Sequence, residues 1–290
     1  MMRLRSLFLS FLALCMALPL CAEPLQVMTY NVWLGFNKKQ TLPAGIEWIG
    51  AQNVDVLALQ ELKGFTQQSL EATAKQWGHE YAVIFERKGG FPQGLTSKTP
   101  IEKLAQIQPE PGSGLRGTLH CKTAGIHFFV VHFDPRNYLR RQKEVAAVAA
   151  AAKPLIEAGE QVIVLGDFNS HSIADKAFLD GQSALHEKWH AKEAEKKSHR
   201  VFNDAGELDY SVLQTLFDIG MIDPAQTPTG TFPTRINFQD TPEAEFQGLQ
   251  QRLDFILVSE NLREGSETLY PRDPEVDQIA DHYPVLLKLK

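Results

Sequence analysis

The sequence predicts a layered α/β protein, and three observations carry that expectation. Short apolar runs recur along the chain, several of them apolar at consecutive positions, as in Val162-Ile-Val-Leu165, which suits strands covered on both faces. Helical patterns lie between these runs. The chain of 290 residues, 43% hydrophobic and 22% charged, can bury a sizeable core, which excludes collagen-like, coiled-coil and disordered classes. No repeat, low-complexity tract or linker divides residues 23–290, so one domain is expected.

Strands are expected at Leu25–Val32, Asp55–Gln60, Tyr81–Phe85, Gly117–Cys121, Ile126–Phe133, Gln161–Leu165, Leu253–Val258 and Val285–Lys290. Thr66 is placed to cap a helix with Leu70, Ala74 and Trp77 on one face and Gly78 at its end. The Ala-rich stretch from Tyr138 to Ala158 reads as a second helix, with Pro154 marking a break. A third, over Tyr210–Ile219, stops at Gly220.

The amino terminus reads differently from the rest. Arg3 and Arg5 precede an apolar run from Leu7 to Leu20 and then Cys21-Ala22-Glu23, the order of a signal peptide's three regions. The run is shorter than the roughly 17 residues a spanning helix needs. Residues 1–22 are therefore expected to be a cleaved leader, with export to the periplasm or beyond. A lipidated Cys21 is the lesser variant, because bulky Leu20 sits where a small residue is wanted. Removing Arg3 and Arg5 and no acid moves the formal charge from −6 to −8. A surface built for nonspecific binding to a polyanion normally has the opposite excess, which leaves only a local basic groove for such a partner. Cys121 alone remains, so no intramolecular disulfide is expected, and it reads as a small strand residue.

Polar residues end the apolar strands. Asn31 closes Met28-Thr-Tyr-Asn31, Glu61 closes Val56-Leu-Ala-Leu-Gln-Glu61, and His132 closes Phe129-Val-Val-His132. In Gly166-Asp-Phe-Asn169 the spacing of two puts Asp167 and Asn169 on one side of an extended chain, with Phe168 on the other. Asp254 opens a later apolar strand, and Asp281-His282 precedes the last one. Adjacent Asp281 and His282 point to different sides, which suits a carboxylate on a hard cation and an imidazole on substrate. Singly, each residue has an ordinary structural explanation, such as an Asx turn or a hydrogen-bonded histidine. Together they indicate one polar site at one edge of the sheets.

The ordered set Asn31, Gln60-Glu61, His132, Gly166-Asp-Phe-Asn169, Arg252-x-Asp254 and Asp281-His282 resembles the endonuclease/exonuclease/phosphatase superfamily, the deoxyribonuclease I-like proteins. The likeness runs from residue 27 to 287 in the family's order, and Gly94-Leu-Thr-Ser-Lys-Thr-Pro-Ile101 is similar to the strand before the family's central hairpin. The resemblance implies a four-layered α/β sandwich, two packed and mainly antiparallel sheets flanked by helices, over residues 23–290. It also implies a phosphoesterase that uses magnesium or manganese. On that likeness Glu61 is the principal metal ligand, with Asp281 assisting. Asp167 positions or deprotonates the attacking water, Asn31 and Asn169 hold phosphate oxygens, and Asp254 holds His282 against the phosphate with His132 as second imidazole. One departure is Trp33, which stands where many nucleases of the family carry a second acid or amide and is expected to pack.

Substrate choice stays open at this level. Arg136, Arg140, Arg141 and Lys143 have the composition to track a phosphate backbone, or to form a solvated helix face balanced by Glu144. The Lys196-Lys197-Ser-His-Arg200 cluster is diluted by Glu193 and Glu195. A phosphodiesterase or nuclease is favoured over a small-molecule phosphatase, a lipid phosphatase or a phospholipase C. A non-catalytic exported binding protein comes last, because a binder has no need of the whole polar set. The partner expected is a phosphoester, nucleic acid included, with no stable membrane span; oligomeric state is not legible.

Overall fold

The computed structural model describes residues 24–85, 87, 90–198, 200–225, 227 and 229–290. The leader expected at residues 1–22 lies outside them. Twelve strands appear among the described residues: β1 (Leu25–Asn31), β2 (Val56–Gln60), β3 (Tyr81–Phe85), β4 (Gln93–Ser97), β5 (Glu102–Ile107), β6 (Thr118–Thr123), β7 (Ile126–His132), β8 (Val162–Asp167), β9 (Met221–Ile222), β10 (Asp254–Ser259), β11 (Glu267–Leu269) and β12 (Val285–Leu289). They form two six-stranded sheets, ordered β11-β12-β1-β2-β4-β3 and β5-β6-β7-β8-β10-β9. Only β1 with β2 and β7 with β8 run parallel, so the sheets are mainly antiparallel as the resemblance implied. Strand β5, absent from the expected set, is short of apolar residues because it is an exposed edge.

Strand alternation divides the apolar residues into layers. Val27, Val56, Ala58, Phe128, Val130, Ile163, Leu165, Ile256 and Val258 face inward and make the core between the sheets. Their neighbours face outward. Met28, Tyr30, Leu57 and Leu59 pack with Trp48 and Ile49 of the helix Leu42–Gln52 and with Leu70 of Gln67–Ala74. Phe129, Val131, Val162, Val164, Phe255 and Leu257 pack with Val145 and Val148 of Tyr138–Glu157 and with Leu213 of Ser211–Phe217. The order is helix, sheet, sheet, helix, which is the four-layered sandwich.

Thr66 caps its helix as expected, accepting from the Ser69 amide, and Gly78 takes a left-handed conformation at the end. Pro154 does not break the Tyr138–Glu157 helix; the helix runs through it and ends one turn later, at the cost of the one hydrogen bond its missing N–H would have made. Between β8 and β9 the chain builds a separate small core of Leu179, Leu185, Trp189, Val201, Phe202 and Leu208 around the helix Ser183–Lys196. Arg252 ties this insertion to the sheet: it is buried, bidentate to Asp175 at 2.9 and 2.7 Å, and 2.7 Å from Asp223. Cys121 is buried in β6, and burial pushes its thiol up to about 12, so it stays an inert core residue. No helix among the described residues is long and apolar enough to cross a membrane.

Candidate active site

The inter-sheet core turns polar at one end, and the period of the strands decides which residues arrive there. Asn31 lies two positions beyond Thr29, His132 two beyond Val130, and Asp167 two beyond Leu165, while Asp254 lies two before Ile256. Each side chain therefore continues the inward stripe of its strand. Register completes the convergence: Asp167 is paired with His132 on β7 and with Asp254 on β10, so three adjacent strands deliver these groups at one level. On the facing sheet Asn31 is paired with Gln60.

All these groups are buried and their contacts are direct. Asn31 Nδ2 donates to Asp167 Oδ2 at 3.0 Å, while Asn31 Oδ1 accepts from the Trp33 amide at 3.1 Å. His132 Nε2 lies 3.4 Å from Asp167 Oδ2 and 3.7 Å from Glu61 Oε1. His282 Nδ1 is 2.8 Å from Asp254 Oδ2, and its other ring nitrogen is 3.9 Å from Asp167 Oδ2. The Asp167 carboxylate thus stands between two imidazoles. Asn169 sends its amide to Asp167 Oδ1 at 2.8 Å and its side-chain amide to the Phe133 carbonyl at 3.1 Å.

Backbone geometry at the strand ends is specialised. Glu61 and Asn169 have φ of 60° and 47°, conformations that cost side-chain-bearing residues free energy. Gly166 has φ 142°, and a Cβ there would stand 2.0 Å from the Val131 carbonyl oxygen, so the residue before Asp167 must be glycine. After Asn31 the chain makes a left-handed turn in which every residue from Trp33 to Lys39 has positive φ. That turn aims the Leu34 amide at Glu61 Oε2, 3.0 Å away, and Trp33 packs against the core as expected.

The electrostatics separate the two imidazoles. Burial pulls the His282 pKa down, but the charges of Asp254 and Asp167 outweigh it and raise the value to about 10, so this ring is an imidazolium at neutral pH. His132 goes well below its ordinary value, through burial and then through the neighbouring charges of Arg116 and His282, so it is neutral. Burial raises Asp167 above the usual carboxylate range, partly countered by His282. Burial, reinforced by Glu61, pushes Asp281 up to about 6.

Several participants have no signal in the local sequence. Thr231 Oγ1 donates to Asp254 Oδ2 at 2.7 Å while accepting from the Leu253 and Asp254 amides, a buttress brought in from 23 residues away. Arg116 stands over the Phe91 ring at 5.1 Å, and Phe91 meets the His132 ring edge-on at 6.1 Å. With Glu61, Arg87 and Arg136 they line a cleft of about 490 Å³ beside the site. The run after His132 is not a free basic track. Arg136 and Arg140 pair with Asp134, Lys143 with Glu110, and Arg141 is buried on the carbonyls of Asp134 and Arg200.

Glu144 does not balance those cations on a solvated face. It is buried, accepts from the amides of Arg116 and Asp134, and is raised by burial to about 7. Its folded pKa exceeds its ordinary 4.5, so its protonated form favours folding, and its contribution is lost as pH rises from about 4.5 to about 7. Over that window Glu144→Gln is expected to remove up to ~1.4 kcal/mol per pH unit from the fall in stability. Urea unfolding of both proteins between pH 4.5 and 8 checks this, and parallel stability curves would rule it out.

A family model described as endonuclease/exonuclease/phosphatase family matches residues 28–282. Among solved structures, an AP endonuclease from Archaeoglobus fulgidus superposes with TM-score 0.69 at 19% identity, over 92% of this chain and 99% of that one. The 3′ phosphatase NExo from Neisseria, bound to product DNA hairpin, gives TM-score 0.68 at 20% identity, with 92% and 99% covered. An endonuclease/exonuclease/phosphatase family protein from Leptotrichia buccalis gives 0.59 at 13%, again over 92% and 99%. No curated protein matches the sequence.

Proposed function

Because the chain belongs to the endonuclease/exonuclease/phosphatase family, we propose that it is a divalent-metal-dependent phosphodiesterase whose substrate is nucleic acid, with water activated by Asp167. The observation that carries this reading is the Asp167 carboxylate set between neutral His132 and cationic His282, with Asp254 behind the latter. Asp167, raised above an ordinary carboxylate, is the better proton acceptor for it. The Asn31 and Asn169 amides fix its two oxygens. His282 presents its free N–H to a phosphoryl oxygen, and Asp254 and Thr231 hold the ring for that task.

The residues present fit a hard cation. Glu61 and Asp281 offer oxygen donors only, and Asp281 is raised partly by the charge of Glu61, a repulsion that a cation removes. Magnesium or manganese bound there supplies Lewis-acid polarisation and charge neutralisation. Ligand atoms of Asp167, Asp254 and His282 also lie within 4.8 Å of one another. That trio suits a metal less well, because His282 is engaged with Asp254 and its imidazolium repels cations. We therefore assign Glu61 and Asp281 as the ligands.

A lipid phosphodiesterase is less well supported: among the described residues the exposed large apolar side chains Tyr81, Leu104, Leu139 and Ile173 stand on separate elements. The signal-peptide pattern read in the sequence of residues 1–22 supports export, which sequencing the amino terminus of secreted protein would test. The primary test is hydrolysis of bis(4-nitrophenyl) phosphate and plasmid DNA with magnesium or with chelator. Turnover that needs the metal is expected, and equal turnover in chelator would overturn the mechanism. Glu61→Gln is expected to raise the magnesium concentration for half-maximal rate about tenfold or more, and an unchanged metal titration would remove Glu61 from the ligand set.

A further inference from the structure

We propose that the cleft between the helix Ser183–Lys196 and the hairpin at residues 202–208 is a second metal site, for a borderline transition cation such as zinc, on His186 and His190 with the carboxylates of Asp180 and Glu207. None of these residues belongs to the catalytic centre, so the site is independent of the reaction assigned there.

The histidines stand in the run His186-Glu-Lys-Trp-His190 inside the helix, a spacing that puts two imidazoles on one face, one turn apart. Histidines so spaced on a helix chelate zinc. Both line a cleft of about 450 Å³ whose wall also includes Asp180, Phe202, Glu207 and Tyr210.

The donors have lone pairs to give. His186 Nε2 lies 3.1 Å from the Leu179 carbonyl oxygen, which can only accept, so the ring proton is on Nε2 and the lone pair on Nδ1. Metal-binding histidines are oriented in this way, by giving the other ring N–H to a backbone carbonyl. His190 is stacked on the Phe202 ring at 4.1 Å between centroids and 5° between planes, which fixes the ring and leaves the nitrogens on its edge free. Glu207 is exposed in the hairpin turn, and among the described residues no cation or amide binds its carboxylate. Asp180 is held by exposed Lys176 alone, in a surface pair of little worth.

Among the described residues only Asp167, Asp254 and His282 have three ligand atoms within 4.8 Å of one another, so these donors stand further apart. His190, Glu207 and Asp180 are exposed, and rotation of their side chains gathers the set at the cost of that one surface pair.

The donors decide the ion and its task. Two imidazoles with two carboxylates suit a four-coordinate zinc, whereas Glu61 and Asp281 offer only oxygen and suit magnesium. The two sites therefore sort their metals. Glu187, the base of hydrolytic zinc sites with this spacing, does not line the cleft, so the ion's task is structural. The insertion has a use for it: its core is Leu179, Leu185, Trp189, Val201, Phe202 and Leu208, and cores this small are commonly stapled by a metal. Phe202 and Leu208 pair across the hairpin, so an ion shared by the helix and Glu207 ties together the two elements that close that core.

The test is titration calorimetry of zinc into the full chain, stripped with chelator and then held in excess magnesium to occupy the catalytic centre. His190→Phe keeps a ring on Phe202 and removes both nitrogens, and it is expected to weaken zinc binding about a hundredfold or more. Glu207→Gln, which leaves the ring packing untouched, is expected to weaken it about tenfold. Zinc is expected to raise the melting temperature of the wild type and not that of His190→Phe. Hydrolysis of bis(4-nitrophenyl) phosphate in magnesium is expected to be unchanged in both variants. No zinc uptake by the wild type, or equal uptake by His190→Phe, overturns the proposal. Uptake that is lost in Glu61→Gln also overturns it, because the zinc then sits in the catalytic centre.

Discussion

Asp167→Ala is expected to fold normally and lose about 10²- to 10⁴-fold in kcat, the range a positioned general base contributes. Two features make this the largest effect in the molecule. The carboxylate is where contacts from Asn31, Asn169, His132 and His282 meet, so its loss removes the base and the group that orders the others. Its removal also has little structural cost. Burial raises the folded carboxyl above its ordinary 3.8, so its contribution to stability falls as pH rises through that range. Alanine abolishes the penalty, which offsets the two hydrogen bonds removed, at about 1 kcal/mol each. The melting temperature at pH 8 is therefore expected to stay within a few degrees of wild type or to rise. In wild type the rate should fall on the acid side through a pKa above the usual carboxylate range. Normal turnover by folded Asp167→Ala would remove the residue from the base role.

Asp254→Asn is expected to cost about 10²- to 10³-fold in kcat, as for a donor that stabilises charge developing in the transition state. Asp254 acts through His282: it accepts from Nδ1 at 2.8 Å and, with Asp167, holds the ring cationic. An amide keeps the shape and loses the charge. The distinguishing readout is the pH profile, which a merely structural role would not move. His282 is needed protonated, so the rate falls as pH rises through its pKa, and the alkaline limb of the wild type is expected high, toward the value of about 10 that Asp254 sustains. In Asp254→Asn that limb is expected at lower pH. The same raised pKa makes His282 stabilising below about 6.5, with the contribution lost between there and about 10. A variant that loses rate without movement of the alkaline limb would mean that Asp254 supports the fold and not the imidazolium.

Strand-end chemistry was legible in the sequence because the period of two is a property of the strand alone. It put Asp167 and Asn169 on one side of an extended chain and separated Asp281 from His282 before any pairing was known, while Asn31, His132 and Asp254 were legible as polar ends of apolar strands. The ordered motifs identified the layered sandwich for the same reason, since each motif is local and their order is covalent. What the sequence could not distinguish was which charges are free. Arg140, Arg141 and Lys143 read either as a track for a phosphate backbone or as a solvated helix face balanced by Glu144, yet the partners of these four residues are Asp134, the Arg200 carbonyl, Glu110 and two backbone amides. Lys188 and Lys192 carry no motif, yet both line one cleft. Thr231, Phe91 and Arg116 reach the site from distant segments. These outcomes depend on strand register, on the left-handed turn after Asn31 and on the insertion between β8 and β9, which bring together groups scores of residues apart. Periodicity sets where a side chain points, but only the packed chain decides what it meets, because burial and ion pairing are set by long-range neighbours.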